Sequence, residues 1–262
     1  MELKEVIGLR RSVRYLNPEV PVEREKIQKM LEAARRASHW GNVQTLRAVV
    51  VERESASPEL LEVLSAYVGN FQVKMAPVVI VWYLDAAAVN DQPDRLREIV
   101  DARAMGIHYD EAKEFLEATL IPFFQAASEI LKAPGISEVD CGQGIAQATL
   151  VAFDEGLGTC CLGGARLDEL SEHLGLPEEA RVMLLQTVGY PAEDVLASGQ
   201  RPRLPFEQLY FLNNTVQPFP RDAAIVEELE EAGMIQRVGP DDRDRRDREL
   251  LSLQEKFGFP EL

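Results

Sequence analysis

The chain has 262 residues, 46% of them hydrophobic, which is enough apolar material for one large domain or two small ones with a sizeable core. Its 28 Lys and Arg against 44 Asp and Glu leave a net charge of −16, a field that repels polyanions and anionic membrane surfaces and argues against general nucleic-acid binding. No apolar run reaches the length of a signal-peptide core at the N-terminus or of a spanning helix elsewhere, so a cytoplasmic protein with no membrane partner is expected.

Ile27, Met30, Leu31 and Ala34 recur at helical spacing between Pro21 and the 38–42 stretch and predict one amphipathic helix. Residues 47–51 and 77–84 are short β-branched runs and read as buried strands, separated by a helix that Ser57 caps and Pro58 opens. From 85 to 134 the pattern is helical, with Phe115, Leu116, Thr119, Leu120, Phe123 and Phe124 as an apolar stripe and Pro122 as a kink. A further helix spans about 137–155 and stops at Gly156 and Gly158; the TCCL run after it suits a strand. Residues 168–174 form a helix ended by Gly175, and 182–188 the last strand. Long helices with few, non-alternating strands favour an α+β layer over a doubly wound sheet.

Beyond residue 213 two helical patterns follow, the second with Leu250, Leu253 and Phe257 on one face. This reads as a C-terminal helical arm (213–262) that packs on a neighbouring surface, attached to a main domain (1–212) carrying the helical 85–135 segment. The DDRDRRDR run within the arm mixes both signs and reads as a solvated turn and helix start.

Cys141, Cys160 and Cys161 cannot all pair, and the adjacent two lack both Cys-x-x-Cys spacing and a partner histidine, so they are read as small buried hydrophobes in a reducing compartment. His39, His108 and His173 are isolated from one another, and no metal is expected.

Two basic knots stand out in this acidic chain: Arg10, Arg11 and Arg14 around Ser12, and Arg201 with Arg203. Both can face one anion, since guanidinium groups bind phosphate bidentately and a serine hydroxyl adds a donor; the alternative is a solvated helix end with scattered ion pairs. The run GLGTCCLGG, residues 156–164, lacks Gly-x-Gly-x-x-Gly spacing and follows a helix instead of opening one, so it is not a dinucleotide turn. Gly163 and Gly164 would still let a flat ligand approach the backbone, or would serve only as a cap and tight turn.

In this order the features resemble the nitroreductase family of FMN-dependent oxidoreductases. Arg10-Arg11-Ser12-Val13-Arg14-Tyr15 is similar to its R-x-S-x-R segment, and Ala37-Ser38-His39-Trp40-Gly41-Asn42-Val43-Gln44 to its A-P-S-x-x-N-x-Q loop. The helix and turn from Asp140 through EGLGTCCLGG resemble its central helix and glycine turn, and Gly189-Tyr190-Pro191 with Arg201-Pro202-Arg203-Leu204-Pro205 its G-x-P and late R-x-R-x-P elements. The resemblance implies an α+β sandwich with a central, mostly antiparallel sheet flanked by helices, in an intertwined homodimer with FMN in two interface clefts.

By the same resemblance Arg10, Ser12, Arg201 and Arg203 hold the phosphate and ribityl chain of the cofactor, Arg11 is counted among the cofactor-binding residues beside them, and Arg14, Lys74 and Asn70 lie near the flavin's pyrimidine edge. Leu162, Gly163 and Gly164 pass beside the ring. Ser38, His39, Trp40 and Asn42 reach the flavin bound mainly by the other subunit, with Trp40 either covering the ring or packing in the core. Ser38 stands where the family has Pro, Thr45 and Leu46 where it has Pro and Trp, and Gly163 where some members carry an acid, so no carboxylate role is transferred there. The implied activity is transfer of electrons from NADH or NADPH through the flavin to a small organic acceptor such as a nitroaromatic or quinone, by a ping-pong mechanism and with no catalytic side chain beyond Arg14 and Lys74 as tuning charges. Alternatives on the same fold are a dehalogenase, a flavin-consuming oxygenase, a metabolite dehydrogenase or a non-catalytic FMN-binding protein.

Overall fold

The structure, a computed structural model, describes residues 1–66 and 71–258. Four strands form one antiparallel sheet in the order β1-β2-β4-β3: β1 (Leu46–Glu52), β2 (Val78–Asp85), β3 (Gly158–Leu162) and β4 (Ala180–Gly189). β2 runs Val-Val-Ile-Val-Trp and is buried on both faces, so its period-2 geometry feeds two cores at once.

Val79 and Val81 face one core with Leu185, Leu64 of α3 (Pro58–Leu64) and Leu170 of α10 (Leu167–Leu174). Val78, Ile80 and Trp82 face the other, with Ile27 and Met30 of α2 (Arg24–Arg35) and Ile145, Ala148 and Ala152 of α9 (Ile136–Asp154). The result is the expected α+β sandwich: helix, sheet, helix. On the α9 side one polar chain crosses the apolar layer, where Trp82 Nε1 donates to Gln186 Oε1 at 2.8 Å and Gln186 Nε2 to Thr149 Oγ1 at 2.9 Å. Each buried polar atom in that chain thereby has a partner.

The 85–134 region is broken into short helices: after a two-turn 3-10 start, Ala86–Asp91, come α5 (Gln92–Asp101), α6 (Tyr109–Phe115), α7 (Ile121–Ala126) and α8 (Ser128–Lys132). Pro122 sits in the first turn of α7, and the turn before it, residues 116–120, is π-wound, because proline has no N–H to continue the α-helical ladder. Leu116 and Ile121 pack with Leu96 and Val100 of α5, whereas Phe115 and Phe123 point outward, so the predicted stripe is buried along one edge only.

The remaining helices are α1 (Leu3–Leu9), α4 (Phe71–Met75), α11 (Ala223–Glu231) and α12 (Arg243–Phe257). The stripe of α12 is covered within its own chain: Leu250, Leu253 and Phe257 pack on Tyr15, Phe71, Met75 and Ala192. That stripe therefore does not by itself call for a second subunit. Nor is the basic and acidic run at the start of α12 wholly solvated, since Arg246 is nearly buried.

Candidate functional site

The site begins where α1 stops. Arg10 leaves the helix in extended conformation, its N–H still on Val6 O, and the next residues lie along the free edge of β3. Ser12 bridges Thr159 in parallel fashion, and Val13 N–H donates to Thr159 O at 2.9 Å. Further on, Asn17 N–H donates to Tyr190 O and Ala192 N–H to Tyr15 O, which clips the segment to the chain leaving β4.

An extended chain alternates its faces, and here Arg11, Val13 and Tyr15 are buried while Arg10, Ser12 and Arg14 are half-exposed. The family-like R-x-S-x-R pattern thus puts its three named residues on the accessible face. Arg11 has the opposite parity: it is buried, and its guanidinium donates to the carbonyls of Gly8, Arg10 and Gly199 and to Gln236 Oε1. With those donors Arg11 clips the N-terminal segment to residues 199 and 236.

That clip also brings in the second basic knot. Gln200 donates to Gly8 O and Met234 O, which sets Arg201 beside the Arg10–Arg14 segment. Burial, and then the positive charge of Arg14, pull the Arg201 guanidinium below its ordinary range, and Arg246 and Arg203 act in the same direction. Burial likewise lowers Arg11, with Arg201 and Arg10 adding to it. Glu193 acts in the opposite direction on Arg201. Arg203 is exposed and its Nη1 donates to Pro202 O.

Below this cluster β3 runs into the turn Leu162-Gly163-Gly164. A Cβ added at Gly163 would meet no atom within 4 Å, whereas one at Gly164 would crowd Leu167. Position 163 therefore has open space in front of its backbone, as the close approach of a flat ring requires. Burial pushes the Cys160 thiol up despite Arg14 and Arg201 nearby, which keeps it protonated. Cys161 is exposed, contrary to the expectation of two buried thiols, because its side chain points off the opposite face of the edge strand.

Lys74 is exposed on α4, at the rim of a cavity of about 420 Å³ shared with Arg53, Leu61, Glu62 and Arg166. Asn70 lies outside the described residues. The loop of residues 38–42 sits elsewhere. Trp40 N–H donates to Asp140 Oδ2 at 2.8 Å, its Nε1 reaches Ser137 Oγ at 3.3 Å, and its ring lies 5.9 Å from that of Phe124. The side chain of His39 is buried, and its Nδ1, 3.9 Å from Asp140 Oδ2, has no hydrogen-bond partner among the described residues. Asn42 has φ +55°, next to Gly41 at +50°, and Ser38 is exposed. Asp140 is near the start of α9, while the terminal amine ahead of α1 is bound at Asp154, 14 residues and about 21 Å along the helix axis. Among the described residues no hydrogen bond or ion pair links this loop to the arginine cluster. The two half-sites that the sequence brings together are apart within one chain.

Glu193, Arg246 and Asp140 organise the two halves, and nothing in the sequence marks their side chains for that part; only their tertiary contacts distinguish them from surface charge. Among the described residues no group of three His, Cys, Asp or Glu side chains is placed to hold a metal ion, and no helix is long and apolar enough to cross a membrane.

Comparison with known proteins fits this geometry. The model of the Nitroreductase family matches residues 7–190. A Thermus thermophilus protein named NADH dehydrogenase is 31% identical over 200 residues, spanning 76% of this chain and 90% of the relative. An FMN reductase [NAD(P)H] of Bacillus subtilis is 27% identical over 199 residues, 75% of this chain and 68% of the relative. A crystal structure of an Exiguobacterium sibiricum protein in complex with FMN shares the fold with a TM-score of 0.67 and 23% identity, over 81% of this chain and 98% of the other.

Proposed function

The chain belongs to the nitroreductase family, and from that premise we propose that it is an FMN-dependent oxidoreductase passing electrons from NADH or NADPH to a small organic acceptor, a nitroaromatic, a quinone or a similar molecule. The observation that carries this reading is the convergence of Arg10, Ser12, Arg14 and Arg201 on one accessible face in a chain of net charge −16. Such a face selects an anion with a planar body: a phosphate for the guanidiniums and a ring for the open backbone at Gly163. FMN meets both requirements, and the absence of a Gly-x-Gly-x-x-Gly turn offers nothing for an adenosine.

Arg10, Ser12, Arg201 and Arg203 would hold the phosphate and ribityl chain, Arg14 and Lys74 the pyrimidine edge, and Leu162 to Gly164 one face of the ring. When bound, FMN supplies hydride acceptance from the nicotinamide and two-electron delivery to the acceptor, in ping-pong order. The chain's own part is to position the ring and to keep positive charge at the edge where electron density builds up.

The site is completed by a second copy of the chain. The loop of Ser38, His39, Trp40 and Asn42 is anchored on Asp140 near the start of α9 and, among the described residues, makes no hydrogen bond or ion pair with the cluster, so a flavin held by one subunit's arginines would meet this loop from its partner. Exposed Ile136 and Val139 on α9 and Phe123 on α7 offer apolar surface for that contact. A cytoplasmic location suits the free thiols Cys141, Cys160 and Cys161. The deciding experiment is the absorbance spectrum of the purified protein, followed by anaerobic addition of NADH and NADPH and turnover with a quinone. A colourless protein that takes up no FMN at micromolar concentration ends the proposal; a yellow one that is not bleached by either nucleotide ends its enzymatic part.

A further inference from the structure

Helix α12 reaches the arginine cluster through one side chain. Arg246 and Glu193 form an ion pair with side chains only 12% and 6% exposed. Arg246 Nη1 also donates to Glu249 Oε2 at 2.8 Å, and Glu249 accepts the Asp194 N–H, so the guanidinium is braced from behind. The other oxygen of Glu193 accepts the backbone N–H groups of Arg14 at 2.9 Å and Tyr15 at 3.2 Å. One carboxylate therefore holds the cofactor-facing segment by its backbone while its charge is taken up by the C-terminal arm. Both residues lie outside the 7–190 stretch that the family model matches.

We propose that Arg246 is a positioning residue for the flavin site: by engaging Glu193 it keeps that carboxylate from pairing with Arg14 and Arg201, and so reserves those guanidiniums for FMN. This rests on the FMN reading given above. The reason is the charge balance of a nearly buried place. A carboxylate stripped of its partner is costly there and recruits the nearest cation, and the cations that feel Glu193 are Arg201 and Arg246, with Arg14 held against it by its backbone. Removing Arg246 would turn an internal anion into a competitor of the phosphate.

The test is the FMN dissociation constant of the full chain, read by quenching of flavin fluorescence. Arg246→Ala should weaken binding about tenfold or more. Arg246→Ala combined with Glu193→Gln should bring it back to within about twofold of the wild type, since the amide still accepts the Arg14 and Tyr15 N–H groups but carries no charge. Glu193→Gln alone should tighten binding, because it frees Arg246 as an added cation. Were the arm merely structural, the double variant would bind as poorly as Arg246→Ala, and that result overturns the inference, as does wild-type affinity in Arg246→Ala. If Arg246→Ala does not fold, Glu193→Gln decides: weaker binding refutes the role. A wild-type chain that takes up no FMN is a different failure, one that removes the flavin reading and this inference with it.

Discussion

Val13 lies directly against Gly158: a Cβ built on the glycine would fall 2.8 to 2.9 Å from the valine side chain. The N-terminal segment can lie on the edge of β3 only because position 158 has none. Gly158→Val should cost about 1–3 kcal/mol through overpacking and, because Ser12 and Arg14 ride on the same segment, should weaken FMN binding in parallel. Denaturant unfolding and flavin titration of the same preparation check this; a destabilised variant with wild-type flavin affinity would separate the segment from the site.

Arg14 and Arg203 should differ in kind. Only a contact that changes between oxidised and reduced flavin moves the potential, and Arg14 is assigned to the ring while Arg203 is assigned to the phosphate. Losing about 1.4 kcal/mol of differential stabilisation in Arg14→Ala lowers a two-electron potential by roughly 30 mV, whereas Arg203→Ala raises the dissociation constant about tenfold for a contact of that strength. Equal potential shifts in the two variants, or a larger one in Arg203→Ala, would reverse the assignment.

A homodimer with an interface above about 2,000 Å² in total is expected, since the loop around Trp40 and the arginine cluster are apart within one chain. Sedimentation of the flavin-loaded protein should give twice the 29.3 kDa chain mass. A monomer that retains its flavin would show that one chain suffices.

Acid should loosen the loop around His39. Burial, foremost, holds its pKa below the ordinary 6.5, with Arg47 acting the same way and Asp140 opposing. The unfolded chain then takes up a proton near pH 6.5 while the folded chain does so only at lower pH. This contribution to stability is complete above about pH 6.5 and is lost as pH falls through the folded value. Melting temperatures of wild type and His39→Gln between pH 5 and 8 should diverge in slope below 6.5; parallel curves would show that His39 is not the group responsible.

Much of the architecture is legible along the chain. Helical spacing from Ile27 to Ala34, the β-branched runs that became β1 and β2, and the Ser57-Pro58 start of α3 depend on local propensity and period, which act before any long-range contact forms. The parity of Arg10, Ser12 and Arg14 is legible too, and the same alternation assigns Arg11 inward, a signal that the dense cluster of arginines obscured. What neighbours decided is different. That the stripe of Leu250, Leu253 and Phe257 lies on Tyr15 and Phe71, that Arg246 meets Glu193 across 53 residues, and that residues 38–42 anchor on Asp140 away from the arginines all follow from packing between segments distant in sequence. A charge in DDRDRRDR carries no mark of which arginine will be buried, because burial of an ionised group is set by the partner that desolvates with it, and that partner is supplied only when the fold closes.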